Sequence, residues 1–357
     1  MIKENYNVIG VMSGTSLDGV DIAHINLDLK NGHWQYKIVE AATKPYDSEW
    51  VTRLKAAVDY TRQELEILDR EYTEFLAGVI KDFIVKHNIL ELDAVCTHGH
   101  TILHQPKKGI TLQIGNLPQL AQLVGQTVVC DFRVQDVAMG GQGAPLVPIG
   151  DKLLFPEAAY CLNLGGFSNI SFDNNSIRTA FDICPVNTVL NHYANELGLE
   201  YDDGGRIASD ATVNGGLLAE LNTLEYYSKP YPKSLGFEFV KAAIFPLIES
   251  YALSAQDKIA TFTEHVALQI ARVVNDREGV GSMLVSGGGT YNSYLLERLK
   301  QLMPKVTIMV PDDKTIQYKE ALIFALLGVL RLRNEINVLA SVTGAAKDHS
   351  SGKIFYP

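Results

Sequence analysis

The 357-residue chain is 46% hydrophobic and 20% charged, with a formal net charge of −10. That length exceeds the size at which one core stops growing, which sets two domains as the expectation, and the composition excludes collagen-like, coiled-coil and disordered classes. The acidic balance argues against a nucleic acid or an anionic membrane as partner, because both require a basic surface.

In chain order, residues 6–12, 20–29 and 34–41 read as three strands separated by SGTSLDG and by Asn31-Gly32, and such short connections predict antiparallel pairing. A helix over 62–86 follows, since Leu65, Leu68, Tyr72, Phe75, Leu76, Val79 and Phe83 recur at helical spacing behind a Thr61/Glu64 capping box. Strands at 92–97 and 110–114, a helix at 118–124 and a strand at 127–132 complete a first half. After a glycine-rich crossover at 139–145 the pattern restarts, with strands at 160–164, 170–172 and 177–181 and a helix at 258–275. A strand at 283–285, a helix at 291–302, a strand at 306–310 and a helix at 317–333 end it. Two copies of one α/β unit facing each other would build a cleft with two glycine hairpin turns at its mouth, which suits a triphosphate. The alternative, that the halves look alike because many α/β domains do, stays open at this point.

The N-terminus has no apolar run behind a basic start, and the longest apolar run, 321–330, is too short to span a bilayer, so a cytoplasmic protein is expected. Four cysteines, at 96, 130, 161 and 184, form no C-x-x-C pair, which excludes the usual zinc and redox spacings and leaves buried thiols.

Small residues in Ser13-Gly14-Thr15-Ser16-Leu17-Asp18-Gly19 let backbone approach a phosphate, and Asp18 and Asp21 suit magnesium held through water; an ordinary polar turn is the competing reading. The turn Gly165-Gly166-Phe167-Ser168-Asn169 follows a strand at the equivalent place. Gly287-Gly288-Gly289, with Asn292 beyond, leaves room for a flat adenosine beside a helix N-terminus. No P-loop and no G-x-G-x-x-G occurs, so a nucleotide site would be of the two-hairpin kind.

Asp182 ends a predicted strand and is either a general base or the N-cap of the next helix. Arg133 would clamp a substrate carboxylate, or pair with Asp131 or Asp136. His98 and His100 alternate on an extended segment, which admits a metal as well as histidines hydrogen-bonding a sugar. Glu320 near the start of a helix suits the dipole or sugar hydroxyls.

The stretches GVMSGTSLDGVDIA, THGHTILHQP, DFRVQDVAMGGQGAPLVP, LNLGGFSNIS, SGGGTYN and SVTGA together resemble the anhydro-N-acetylmuramic acid kinase family, from about Val8 to the C-terminus. The resemblance implies an α/β fold of two duplicated actin-like ATPase (ribonuclease H-like) domains with mixed β-sheets and an interdomain cleft. It sets residues 1–138 with the C-terminal segment 336–357 as domain I and 139–335 as domain II, with the glycine crossover as a hinge segment. It further implies ATP and Mg²⁺, a small-molecule anhydro amino sugar as substrate, and a homodimer. ATP would meet Gly14, Thr15, Ser16, Leu17, Asp18, Gly19, Val20 and Asp21, together with Gly165, Gly166, Ser168, Asn169, Gly287, Gly288, Gly289 and Asn292. Asp182 would be the catalytic base, and Thr97, His98, Arg133 and Glu320 would bind sugar.

Two departures stand out. Many members read D-T-G-P-G-N where this chain has Asp182-Ile183-Cys184-Pro185-Val186-Asn187, and the added side chains are expected to narrow or reshape the sugar pocket. After GAPLVP, Ile149-Gly150-Asp151-Lys152 replaces a more usual aromatic-histidine continuation. Ile183, Cys184 and Val186 motivate a rival reading as an ATP-driven switch without sugar chemistry, and His98, His100 and Asp182 a second rival, a metal-dependent hydrolase.

Overall fold

A computed structural model of the chain describes residues 3–14, 16–277 and 279–357. The chain folds as two compact units, residues 1–154 with 318–357, and residues 155–317. These boundaries lie inward of the 138/139 and 335/336 divisions drawn from sequence, and packing explains why. The helix Val147–Leu154 is built onto the first unit: a Cβ on Gly150 would lie 2.7 Å from Ile323. Asp151 next to it forms a buried ion pair with Lys319 at 2.7 Å. The glycine crossover is likewise internal to this unit. Asp136, fully buried, accepts from the Gly143 N–H at 2.6 Å and from Thr343 Oγ1 at 2.7 Å, tying the crossover to the C-terminal tail.

In the first unit, β1 (Asn5–Ser13), β2 (Gly19–Lys30) and β3 (His33–Pro45) form an antiparallel meander. β4 (Ala94–Gln105) runs parallel to β1 and carries β5 (Ile110–Ile114) as an antiparallel branch. β6 (Val128–Cys130) runs parallel to β4. In the second unit, β7 (Tyr160–Leu164), β8 (Phe167–Asn174) and β9 (Ile177–Pro185) form the same meander, and β10 (Gly281–Ser286) and β11 (Val306–Met309) add in parallel. The orders are β3-β2-β1-β4-β6 and β9-β8-β7-β10-β11, so the second unit repeats the first strand for strand. The first sheet gains β12 (Lys353–Phe355), antiparallel to β6.

Alternation of side chains explains how each sheet is covered. On one face of the first sheet Ile9, Val11, Ile22 and Val95 meet Leu68, Tyr72, Leu76 and Ile80 of the helix Arg62–Lys86, whose Thr61/Glu64 capping box forms. On the other face the helix Asp313–Leu332, past a break at Tyr318 (φ −112°, ψ 19°), packs directly on backbone: a Cβ on Gly10 would sit 2.0 Å from the Ala321 carbonyl oxygen, and one on Gly328 2.2 Å from Cys96 Sγ. The second core centres on Phe172, Ile183, Tyr193, Phe262, Ile270 and Val285. All four cysteines are buried thiols outside any disulfide.

Candidate active site

In the first unit, the β1–β2 turn needs a glycine at its end, since a Cβ on Gly19 would lie 2.3 Å from the Lys44 carbonyl oxygen. Gly14 is half-buried, Ser16 and Asp18 are exposed, and Leu17 takes a left-handed φ of 62°. Val20 is fully buried, so only its backbone can serve a ligand. Thr15 lies outside the described residues. Asp21 Oδ1 accepts from Thr43 Oγ1 at 2.6 Å; burial raises its carboxyl above the ordinary range, and the negative charge of Asp18 adds to the rise. Two repelling carboxylates are the oxygen donor set a magnesium ion fits, through water and phosphate. Among the described residues no three His, Cys, Asp or Glu side chains converge to cage a metal directly.

Ser13, just before the turn, is buried in a polar chain: its Oγ bonds His100 Nδ1 at 2.7 Å and Tyr46 OH at 2.6 Å, and Tyr46 OH bonds Tyr72 OH at 2.5 Å. The contact exists because β4 carries one extra residue against β1, Val11 facing Thr97 but Ser13 facing His100. Gly99, at φ 72°, permits this bulge; a Cβ there would lie 2.4 Å from the Ile114 carbonyl oxygen. Thr97, fully buried, accepts from the Gly99 N–H at 3.0 Å. Both ring nitrogens of His98 are engaged: Nε2 accepts from Arg133 Nε at 2.8 Å and Nδ1 donates to the Gly99 carbonyl at 2.9 Å. Burial, then the neighbouring guanidinium, pushes His98 far below its usual range. A neutral imidazole with its lone pair committed to Arg133 has none left for a metal, which removes the ground for the hydrolase reading.

Arg133 takes neither partner expected from sequence. Asp131 pairs with Lys353 at 2.7 Å, whereas Arg133 donates to His98 and to the Gly143 carbonyl, the latter at 2.5 Å. Burial lowers its guanidinium to about 10, against the pull of Glu320 and Asp136. Glu320 keeps an exposed surface, yet the protein crowded around its carboxyl raises it; Arg133 opposes the rise and Asp21 adds to it. His98, Arg133, Glu320 and Asp21 therefore form one electrostatically linked group.

In the second unit, Asp182 lies within β9 rather than at its end, half-buried and opposite the exposed Asn169 of β8. The next helix, Asn187–Glu196, begins after Val186 without a side-chain cap, so Asp182 is not its N-cap. Instead Asp182 Oδ2 accepts from the Leu235 N–H at 2.8 Å, while Oδ1 has no hydrogen-bond partner among the described residues. Burial raises the carboxyl and the Leu235 bond moderates the rise. A carboxylate with one oxygen fixed and the other open, pushed toward neutrality, is equipped to take a proton.

The residues that depart from the family pattern do not crowd this carboxylate. Ile183, Cys184 and Val186 are all buried in the second core, so their side chains face the interior. β9 carries an extra residue at Ile183 against β8, Ser168 facing Cys184 and Asn169 facing Asp182. None of the three takes a positive φ, so no glycine is required there. Ser168 is committed to Cys184, donating to its carbonyl at 3.0 Å and accepting from its N–H at 3.2 Å, so its hydroxyl serves the strand pair.

The turn Gly165-Gly166 closes over the start of Asn187–Glu196: the Asn187 N–H donates to the Gly165 carbonyl at 3.2 Å, and the N–H of Val186, just before the helix, to the Gly166 carbonyl at 2.8 Å. Gly287 packs on the same turn, where a Cβ would lie 2.6 Å from Asn163 Oδ1. Gly288 and Gly289 form part of the wall of a cavity of about 410 Å³, with Asn187, Asp203 and the exposed Tyr201 and Tyr291. Asn292 lines it too, but its Oδ1 caps the helix Ser293–Leu302 through the Leu295 N–H at 2.9 Å. Asn187 belongs to the motif compared with the family pattern, whereas Tyr201 and Asp203 were not singled out from sequence. Tyr201 precedes, and Asp203 opens, a short 3-10 helix, Asp203–Gly205, which is too short to leave a periodic signal.

The two units share one strand order, each with a glycine turn after its first strand, the duplicated α/β arrangement that the sequence resemblance implies. Residues 6–357 match the family model described as anhydro-N-acetylmuramic acid kinase. Proteins of that name resemble the chain closely: that of Pasteurella multocida is 36% identical over 97% of this chain and 96% of its own length. Those of Variovorax paradoxus and Haemophilus influenzae are 34% and 33% identical, each over 97% of this chain and 98% and 97% of their own lengths. The chain belongs to the anhydro-N-acetylmuramic acid kinase family.

Proposed function

We propose that this protein uses ATP to open 1,6-anhydro-N-acetylmuramic acid with water and to phosphorylate the freed 6-oxygen, giving N-acetylmuramic acid 6-phosphate in cell-wall recycling. The observation that carries the reading is Asp182, a half-buried carboxylate with one oxygen fixed by Leu235 and the other open, in a chain of this family.

Asp182 takes a proton from a water molecule as that water attacks the anomeric carbon. The bond from that carbon to the bridging oxygen breaks, and the oxygen attacks the γ-phosphorus, releasing ADP. The step resembles inverting glycoside cleavage, with the phosphoryl group in the role of the acid. Arg133, His98, Thr97 and Glu320 hold the sugar; Arg133, oriented by His98 and Gly143, meets its carboxylate. Each unit offers phosphate a glycine turn with backbone N–H groups, 14–21 in the first and 165–169 in the second, and the adenosine is assigned to the cavity beside Gly288 that Tyr201 and Tyr291 help line. Asp18 and Asp21 would hold Mg²⁺ through water, where its charge neutralises the phosphates.

The two units are read as the two actin-like ATPase domains. As the family resemblance implies, the protein works as a cytoplasmic homodimer; no helix among the described residues is long and apolar enough to cross a membrane. The test is mass analysis of the product formed from anhydro-sugar, ATP and oxygen-labelled water. One labelled oxygen and one phosphoryl group in the same product are expected. ATP hydrolysis indifferent to the sugar would refute the reading and favour the switch.

A further inference from the structure

Resting on the reading of Asp182 as the base, we propose that residues 229–236 form a strap that aims this carboxylate, with Lys233 as its lock. The strap runs along β9 and grips Asp182 at two points: the Leu235 N–H donates to its carboxylate at 2.8 Å and the Asp182 N–H donates to the Lys233 carbonyl at 3.2 Å; Tyr226 OH, just before the strap, donates to the Asp182 carbonyl at 2.6 Å.

Lys233 closes this segment on itself. Its Nζ donates to the Tyr226 carbonyl at 3.1 Å and the Tyr227 carbonyl at 3.4 Å, and lies 4.7 Å from the Tyr226 ring centre and 5.9 Å from that of Phe181. An ammonium between two aromatic faces and two carbonyls is held by charge and geometry together. Farther along, Tyr231 stacks on Phe181 at 5.0 Å with rings nearly parallel and accepts from Arg277 at 3.0 Å, Arg277 itself lying over Phe172. Behind the strap, Tyr227 OH bonds His265 Nε2 at 2.9 Å, and His265 Nδ1 bonds Asn222 at 2.7 Å. The N–H that fixes the base is thus carried on a segment anchored on both sides, and an edge strand that would leave Asp182 loose is covered.

The test compares Lys233→Met, which keeps the stem and removes the charge, with Lys233→Arg, which keeps cation and donors. Two quantities are read: the acid limb of the kcat/KM profile for sugar, and the titration midpoint of the Asp182 carboxyl by carbon NMR, assigned with Asp182→Asn. Losing the Leu235 N–H removes a stabiliser of the ionised form, so Lys233→Met raises both by about one pH unit. It also lowers kcat, leaves KM for ATP unchanged, and is rescued by Lys233→Arg. An unmoved midpoint, or a downward one as added hydration alone would give, overturns the strap. If wild-type protein fails to turn over the sugar, the base reading falls while the NMR midpoint still decides the strap.

Discussion

Replacing Asp182 by asparagine separates chemistry from folding cleanly, because the two share only one oxygen. The new amide must present its oxygen to the Leu235 N–H, since turning its NH₂ there would set donor against donor. The amide nitrogen then occupies the open position, where it cannot accept a proton. Loss of a general base is worth about 10²–10⁴ in rate, and that fall in kcat is expected with ATP affinity unchanged. Stability should not suffer. Burial raises the Asp182 carboxyl, so the native state holds a proton more tightly than the unfolded chain, and the ionised side chain costs stability as pH rises from the ordinary carboxylate value through the raised one. Above that window the Asp182→Asn variant should melt at or above the wild-type temperature. In the wild type the base must be ionised, so turnover should fail as pH drops through the same raised value, above the usual carboxylate range of about 4. ADP release, product mass and a thermal melt decide the matter; turnover within tenfold of wild type in folded Asp182→Asn protein would refute the role.

Other perturbations read other parts of the molecule. At Gly288 a Cβ would meet only Asn187 Nδ2 at 3.8 Å, so Gly288→Val should fold normally and raise KM for ATP, whereas at Gly289 a Cβ would lie 2.7 Å from Leu164 Cβ, so Gly289→Ala should cost roughly 1–3 kcal/mol in urea unfolding. Restoring the common family residue at Val186 by Val186→Gly should empty core volume and cost roughly 2–4 kcal/mol, with KM for sugar unchanged; an altered KM would return this side chain to the pocket. Burial pushes His265 down to about 3 from 6.5, so the unfolded chain takes up its proton first, and the stability His265 contributes is complete above pH 6.5 and lost as pH falls. Urea midpoints should therefore drop between pH 7 and 5 by the equivalent of about 2 kcal/mol in wild type, and by less in His265→Gln.

Much of the scaffold was legible because apolar spacing is a direct record of burial. The helix Arg62–Lys86, its cap, and strands β5 and β7 fall where periodicity puts them. Reading failed where polar motif residues occupy strands. β4 continues through His98-Gly99-His100 to Gln105, and β9 through Asp182 to Pro185, because ladder hydrogen bonds to β5 and β8 hold backbone whose side chains show no alternation. β12 has three residues and becomes visible only through its partner β6. Asp182 and the glycine turns could be picked out from sequence as candidates. Leu235 and Lys233 were not, because their part depends on backbone groups meeting β9 some 50 residues from Asp182 in sequence, and no side-chain pattern encodes that.

The inward burial of Ile183, Cys184 and Val186 bears on how signatures of this kind should be weighed. Around Asp182, some letters of the motif face outward and others are set by what the interior accommodates. The second kind can change together with neighbouring core residues without placing a new side chain on the surface. A search pattern that penalises every mismatch equally would rank this chain as degenerate; one that weights outward-facing letters would find it whole.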